Sequence, residues 1–234
     1  MTGSHEVRGS TPLISTTSCL IRPIIQLSHF IENLISKGEN QHLDFKFEIS
    51  DAKKIARTLS AFANTEGGRL LIGVKDNGKI TGVKTDEEAY MIESAADLYC
   101  KPKVKYRIRH HVIQQKTILE VFIPESDNKP HVAPWKANKW EAFIRVHDQN
   151  FIADDVMKEV WKIKHQDKKF LFRFKNYEQQ LFELLQNKKE ISQQEFITKC
   201  KIPKHLSTKI LANLLVANII TVSISESNIT YKLC

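Results

Sequence analysis

Strict alternation in LDFKFEI, residues 43–49, sets Leu43, Phe45, Phe47 and Ile49 on one side and Asp44, Lys46 and Glu48 on the other. This is the pattern of a half-buried strand. Ahead of it, IIQLSHFIENLI places Ile31, Leu34 and Ile35 at helical spacing, and Gly38 follows as a C-terminal cap. Behind it, Ser50 and Asp51 offer N-caps for a helix whose apolar stripe is Ile55, Ala56, Leu59, Phe62 and Ala63, and Gly67-Gly68 stops it. The continuous apolar run RLLIGV reads as a short buried strand. Asp76-Asn77-Gly78 then forms a hairpin turn, because Asn-Gly accepts positive φ, with Lys79 to Val83 as the return strand. Residues 85–99 read as a second helix with Tyr90, Met91, Ala95 and Leu98 inward.

Residues 101–111, KPKVKYRIRHH, alternate again, with Lys101, Lys103, Lys105, Arg107 and Arg109 on one parity and Val104, Tyr106 and Ile108 on the other. TILEVFI (117–123) is the expected antiparallel partner, Pro124 to Pro134 a loop, EAFIRV (141–146) a strand and Ala153 to Lys164 a helix. The order predicts an α+β fold, a sheet with helices on one face.

After the charged junction 166–175 the pattern changes. YEQQLFELLQ, Ile191 to Lys199 and residues 204–217 are three helices, with Ser192 and Glu195 at capping-box spacing, and IITVSIS and ITYKL form a hairpin. Three helices and a hairpin in residues 176–234 is the composition of a small winged helix-turn-helix domain. The division expected is a flexible arm over 1–24, rich in Ser, Thr and Gly, a first domain over 25–165, a linker, and the winged helix.

Composition narrows the function classes. The chain has 234 residues and a formal net charge of +8, which favours an anionic partner. No apolar run is long enough to span a bilayer, so no membrane role is expected. Cys19, Cys100, Cys200 and Cys234 form no CxxC pair and read as reduced thiols of a cytoplasmic protein. His110, His111, His131, His147 and His165 have no i,i+4 pairing on a helix and read as structural or solvated.

Three patterns carry candidate chemistry. Gly73 to Lys79, GVKDNGK, approaches a phosphate loop, but Ile80 stands where Ser or Thr is needed and a strand follows instead of a helix, so ATP is not expected there. Glu39, Asp44 and Asp76 are acids from separate segments that could converge on magnesium or manganese; the plainer readings are a turn aspartate and an Asp44–Lys46 or Asp44–Lys75 pair. The cations 101–109 would project every ~6.6–6.8 Å along one strand face, a stripe that neutralises phosphates, unless they only guard a sheet edge. In the last helix, Lys204, His205, Ser207, Thr208 and Lys209 occupy the half that reaches base edges in duplex DNA, although such modules also serve dimerisation.

GENQHLDFK, AFANTEGGRLLIGVKDNGKITGV and AFIRVHDQNFIA resemble the Schlafen AlbA_2 domain, described in bacteria as a DNA-binding or divergent ATP-binding module, over about residues 27–165. The resemblance implies an Alba-like sheet associated with nucleic acid, and a winged helix is a common companion. Animal members cleave tRNA and rRNA with three acids and a divalent metal. Those acids fall on Glu39, Asp44 and Asp76, with Asp44 standing where the family has a glutamate. The nuclease members pair two lobes, so a single copy implies a homodimer for a comparable groove. The leading expectation is a DNA-binding regulator whose AlbA_2-like domain holds phosphate backbone. The alternatives are a metal-dependent endoribonuclease acting on structured RNA such as tRNA, and a non-catalytic interaction module.

Overall fold

Asp51 starts the helix around which the N-terminal part is built: its carboxylate accepts the Lys53 N–H at 2.8 Å, and helix α2 runs Ala52–Asn64. The computed structural model describes residues 29–84, 86–136, 139–166, 176–225 and 228–234. The expected arm over 1–24 and most of the junction lie outside them. Helix α1 covers 29–36 and ends at Gly38, whose N–H reaches the Ile35 carbonyl. Strand β1 is Leu43–Lys46 and β2 is Gly68–Ile72; helix α3 is Glu87–Asp97; β3 is Arg107–Ile113 and β4 is Lys116–Ile123.

These four strands form one sheet in the order β1-β2-β4-β3, with β1 and β2 parallel and the other pairs antiparallel. Leu70 and Ile72 face α2 and α3, in a core with Leu59, Phe62, Ile92, Ala95 and Val121. Leu71 points the other way and meets Ile31, Leu43, Phe45, Ile113 and Ile118 under α1. The fold is α+β, as the element order predicts, but helices cover both faces of this sheet. The alternating stretch 43–49 also stays a strand only to Lys46; Phe47 is largely exposed.

A second sheet, β5 (Val132–Pro134), β6 (Trp140–Val146) and β7 (Gln149–Ile152), packs on the far side of α2. Helix α2 is therefore buried nearly all round over its last seven residues. Small side chains such as Ala56, Ser60 and Ala61 permit this close approach. Gly68 is required by the same packing, since a Cβ there would stand 2.4 Å from the Phe62 ring. Asn64 cross-links the layers: its amide donates to the carbonyls of His131 and Phe143 at 2.8 and 2.9 Å and accepts the His131 N–H at 2.7 Å. Burial lowers the pKa of the His131 ring, which hydrogen-bonds Ser126 Oγ and the Pro102 carbonyl.

In α3 the inward stripe is Glu88, Ile92, Ala95 and Ala96; Tyr90 and Leu98 face outward, against expectation. The helix packs on α2 through small residues, and the two larger side chains fall outside that stripe.

Helix α4, Asp155–His165, is capped by Asp154, which accepts the Met157 N–H. Val156 and Val160 join the core of the C-terminal elements, while Trp161 packs beside Ala142, Ile144 and Ala153. Then come α5 (Asn176–Lys188), β8 (Glu190–Ser192), α6 (Gln193–Cys200), α7 (Lys204–Val216), β9 (Ile220–Ile224) and β10 (Ile229–Leu233). The Ser192–Glu195 capping box forms in full. Strand β10 pairs with both β9 and β8, so the expected hairpin gains a third strand. Among the described residues no helix is long and apolar enough to cross a membrane. The described cysteines are free; burial pushes the Cys100 thiol up to about 12.

Candidate nucleic-acid interface

The acids come first. Glu39 precedes β1 and its Oε1 accepts the Phe45 N–H at 2.7 Å. Asp44 lies beside it, but on a buried face: Lys46 Nζ stands 2.8 Å from one carboxylate oxygen and Arg145 Nη2 3.1 Å from the other. The alternation that puts Asp44 on a polar face cannot reveal that β6 delivers an arginine to it. Arg145, itself buried, also donates to the carbonyls of Asn40 and Leu43 and to Asn150 Oδ1, and stacks over Phe62. Burial raises the pKa of Glu39, and the neighbouring Asp44 adds to the rise.

Asp76 is elsewhere. It sits on the exposed turn between Val74 and Ile80, which pair as an antiparallel bridge, with the Gly78 N–H on the Lys75 carbonyl at 2.7 Å. Only the bridge at Ile80 remains of the expected return strand. Gly73 has φ +92, and a Cβ on it would stand 2.8 Å from Gly82, so this glycine serves a close chain crossing. The segment is a turn, and no helix N-terminus follows it to cradle phosphate. Glu39 and Asp44 thus come together and Asp76 does not join them. Among the described residues no group of three His, Cys, Asp or Glu side chains is placed to hold a metal ion. Lys46 and Arg145 already flank Asp44, and the three acids together form no oxygen cage for a divalent ion.

The five cations of 101–109 do not share one strand. Lys101 bridges to Val132 at the other sheet and lies over the Trp140 ring at 4.3 Å. Lys103 pairs with Asp97 at 3.0 Å, and Lys103 and Lys105 border a cavity closed by the 124–128 loop and His131. Only Arg107 and Arg109 lie on β3, the edge strand. Pairing Lys101 with β5 draws the chain away from the four-stranded sheet until Arg107, which is why one alternating sequence becomes two surfaces.

On β3, register decides what surrounds the arginines. Arg107 faces Phe122 of β4, which faces Arg69 of β2; one row along, Arg109 faces Glu120. The Glu120 side chain is 3% exposed, receives Arg69 Nε at 2.8 Å and meets His111 Nε2 at 2.8 Å. Arg69 stacks over Phe122 at 5.2 Å and Phe30 at 5.5 Å. Arg69, Arg107, Arg109, Glu120 and Phe122 line a cavity of about 200 Å³. Arg69, His111, Glu120 and Phe122 escape the sequence reading. A charge inside each apolar run, the Arg of RLLIGV and the Glu of TILEVFI, was the signal.

In α7 the five expected contacts divide. Ser207 is fully buried, and Gln193 Nε2 donates to both Ser207 Oγ at 3.0 Å and Thr208 Oγ1 at 2.8 Å. Both hydroxyls lock α6 to α7; Ser207 is closed off from solvent, whereas Thr208 is half-buried and borders the groove beside Lys204 and Lys209. Lys204 is exposed and paired with Asp155 of α4 at 2.7 Å, which lowers the Asp155 pKa and raises that of Lys204. Lys209 and His205 are exposed. With Lys158 and Lys162 of α4 they border an open groove of about 630 Å³.

The fold therefore sets an arginine cluster at the edge of a four-stranded sheet in its α+β N-terminal part, followed by helices with their own three-stranded sheet. Residues 39–154 match the family model described as Schlafen, AlbA_2. No curated protein matches the chain. Among solved structures, similarity extends to the DIP2311 protein from Corynebacterium diphtheriae, at 18% identity and a TM-score of 0.45, over 64% of this chain and 33% of that one. It extends also to the N-terminal domain of a protein described as related to the ATP-dependent DNA helicase RecG, from Nitrosomonas europaea, at 22% identity and a TM-score of 0.38, over 51% of this chain and 87% of that one. The chain thus spans a third of the length of the first of these structures.

Proposed function

We propose that this chain binds nucleic acid through the phosphate backbone, as a DNA-associated regulator. The observation that carries the reading is the pair of exposed arginines on edge strand β3, Arg107 and Arg109, converging with Arg69 of β2 on one cavity. Cations that merely guard an edge would have no reason to gather around a shared concavity. Exposed Lys101, Lys103 and Lys105 add cations on the segment leading into β3, on a separate surface. The Schlafen AlbA_2 match over 39–154 supports the same class of partner.

The C-terminal elements run helix, strand, helix, helix, strand, strand. That order supports a winged helix-turn-helix with α7 as the recognition helix. In this reading, duplex contact is made by Lys204, His205 and Lys209, together with Lys158 and Lys162 across the groove. Ser207 supports the helix from behind, and Thr208 borders the groove.

The test is fluorescence anisotropy of the full chain on duplex DNA and on structured RNA between about 50 and 200 mM salt. Affinity is expected to fall steeply with salt, and Arg107→Gln with Arg109→Gln should shallow the logarithmic slope by about two. Absence of binding to either at the lowest salt would overturn the reading in favour of a protein-interaction module.

A further inference from the structure

The arginine cavity has features that general backbone contact does not explain. A passing phosphodiester carries one charge and is met adequately by exposed, flexible lysines on a convex surface. Here the three cations are arginines, whose planar forks suit bidentate contact to phosphate oxygens. They come from three positions fixed by register on two strands, Arg69 on β2 and Arg107 and Arg109 on β3, with β4 between. Arg69 is further held by the buried Glu120 carboxylate and by stacking on Phe122 and Phe30. Glu120 takes only the Nε of Arg69, and the two terminal nitrogens of that side chain are not used in this pair. His111 secures Glu120 from the other side.

Charge makes the same point. Three arginines and a single carboxylate, which pairs with Arg69, line about 200 Å³, so the lining carries an excess of two positive charges. Like charges gathered on neighbouring strands repel. The arrangement is relieved by an anion that brings about two negative charges into the same space. A phosphate monoester does so at neutral pH, and it presents three unsubstituted oxygens. The cavity is smaller than the roughly 300–1,000 Å³ of sites that enclose whole ligands. It suits a phosphate group whose single ester substituent leads outward past Phe122.

We infer that the cavity bounded by Arg69, Arg107 and Arg109 is a receptor for a phosphate monoester, the terminal phosphate of a nucleic-acid strand or of a free nucleotide. The strand-end form rests on the nucleic-acid reading above; the free-nucleotide form does not.

The experiment compares short, internally labelled oligonucleotides of one sequence, ending in a 5′-phosphate, a 3′-phosphate or hydroxyls at both ends, on the full chain by anisotropy. Adenosine monophosphate and adenosine are titrated in parallel by calorimetry. One phosphorylated end should bind about tenfold tighter than the hydroxyl form, the yield of a few charge-assisted hydrogen bonds. Arg109→Gln and Arg107→Gln, on an exposed edge, should erase that preference while the thermal melt stays in place. Equal binding of all three oligonucleotides, with no monophosphate binding, overturns the inference and leaves backbone binding intact. Monophosphate binding that is lost in Arg109→Gln, with no oligonucleotide bound, supports the receptor and overturns the nucleic-acid reading. Failure of every ligand overturns both.

Discussion

The Arg145 guanidinium stands 3.1 Å from the Asp44 carboxylate, and both side chains are buried. The pair joins the start of β1 to the end of β6 and lies next to Glu39. It gives Asp44, an acid the sequence offers as a candidate metal ligand, a buried counterion. Removing one member of such a pair leaves a charge without its counterion. Arg145→Met should therefore cost about 3–5 kcal/mol, read from urea denaturation. A loss well under 1 kcal/mol would show that Asp44 does not depend on it.

Asn64 is expected to matter for stability and not for ligand affinity. It joins α2 to β5 and β6 by three main-chain hydrogen bonds. Asn64→Ala strands buried carbonyls and an N–H, at about 1–3 kcal/mol for each group left unsatisfied. Hydrogen exchange at the His131 amide should accelerate with the drop in unfolding free energy. Unchanged exchange there would exclude this linking role.

Glu39 predicts a pH effect of definite sign. Burial raises its pKa, so the folded state holds the proton more tightly than the unfolded chain. Stability is favoured below the ordinary glutamate range and declines as pH rises through that range into the raised one. Glu39→Gln keeps an acceptor for the Phe45 N–H and removes the titration. Melting temperatures followed from about pH 4 to pH 7 should fall less steeply in the variant. Parallel curves would show that Glu39 does not titrate abnormally.

Asp155 should act as a brake on the α4–α7 groove, because it holds Lys204 at 2.7 Å. Asp155→Asn is expected to strengthen duplex binding a few-fold and to steepen the logarithmic salt slope by about one. Ser207→Ala, by contrast, should lower stability and leave the slope unchanged, since Ser207 is buried against Gln193. A salt slope lowered by Ser207→Ala would return that hydroxyl to the contact surface.

Features set by neighbours in the chain were legible from sequence. Asp51 caps α2, Ser192 and Glu195 form their box, and Asp76-Asn77-Gly78 makes its turn, because each depends on hydrogen bonds or φ values within four residues. The buried run of β2 was equally plain, since a central strand is apolar on both faces. The fate of charged residues was not legible, because it depends on partners supplied by distant segments. Alternation gave Asp44 a polar face and could not show Arg145, a hundred residues on, arriving at it. Five cations at even spacing implied one stripe until Lys101 paired with Val132.

By itself the sequence determined the α+β class, most of the elements and the excess of positive charge, all of which follow from local periodicity and composition. Tertiary structure alone decided which charges meet. Strand register brought Arg69, Arg107 and Arg109 around Glu120, and the packing of α4 against α7 set Asp155 on Lys204. The physical reason is that a charge is positioned by whatever counter-charge the fold brings within a few ångströms, and that distance is unrelated to separation along the chain.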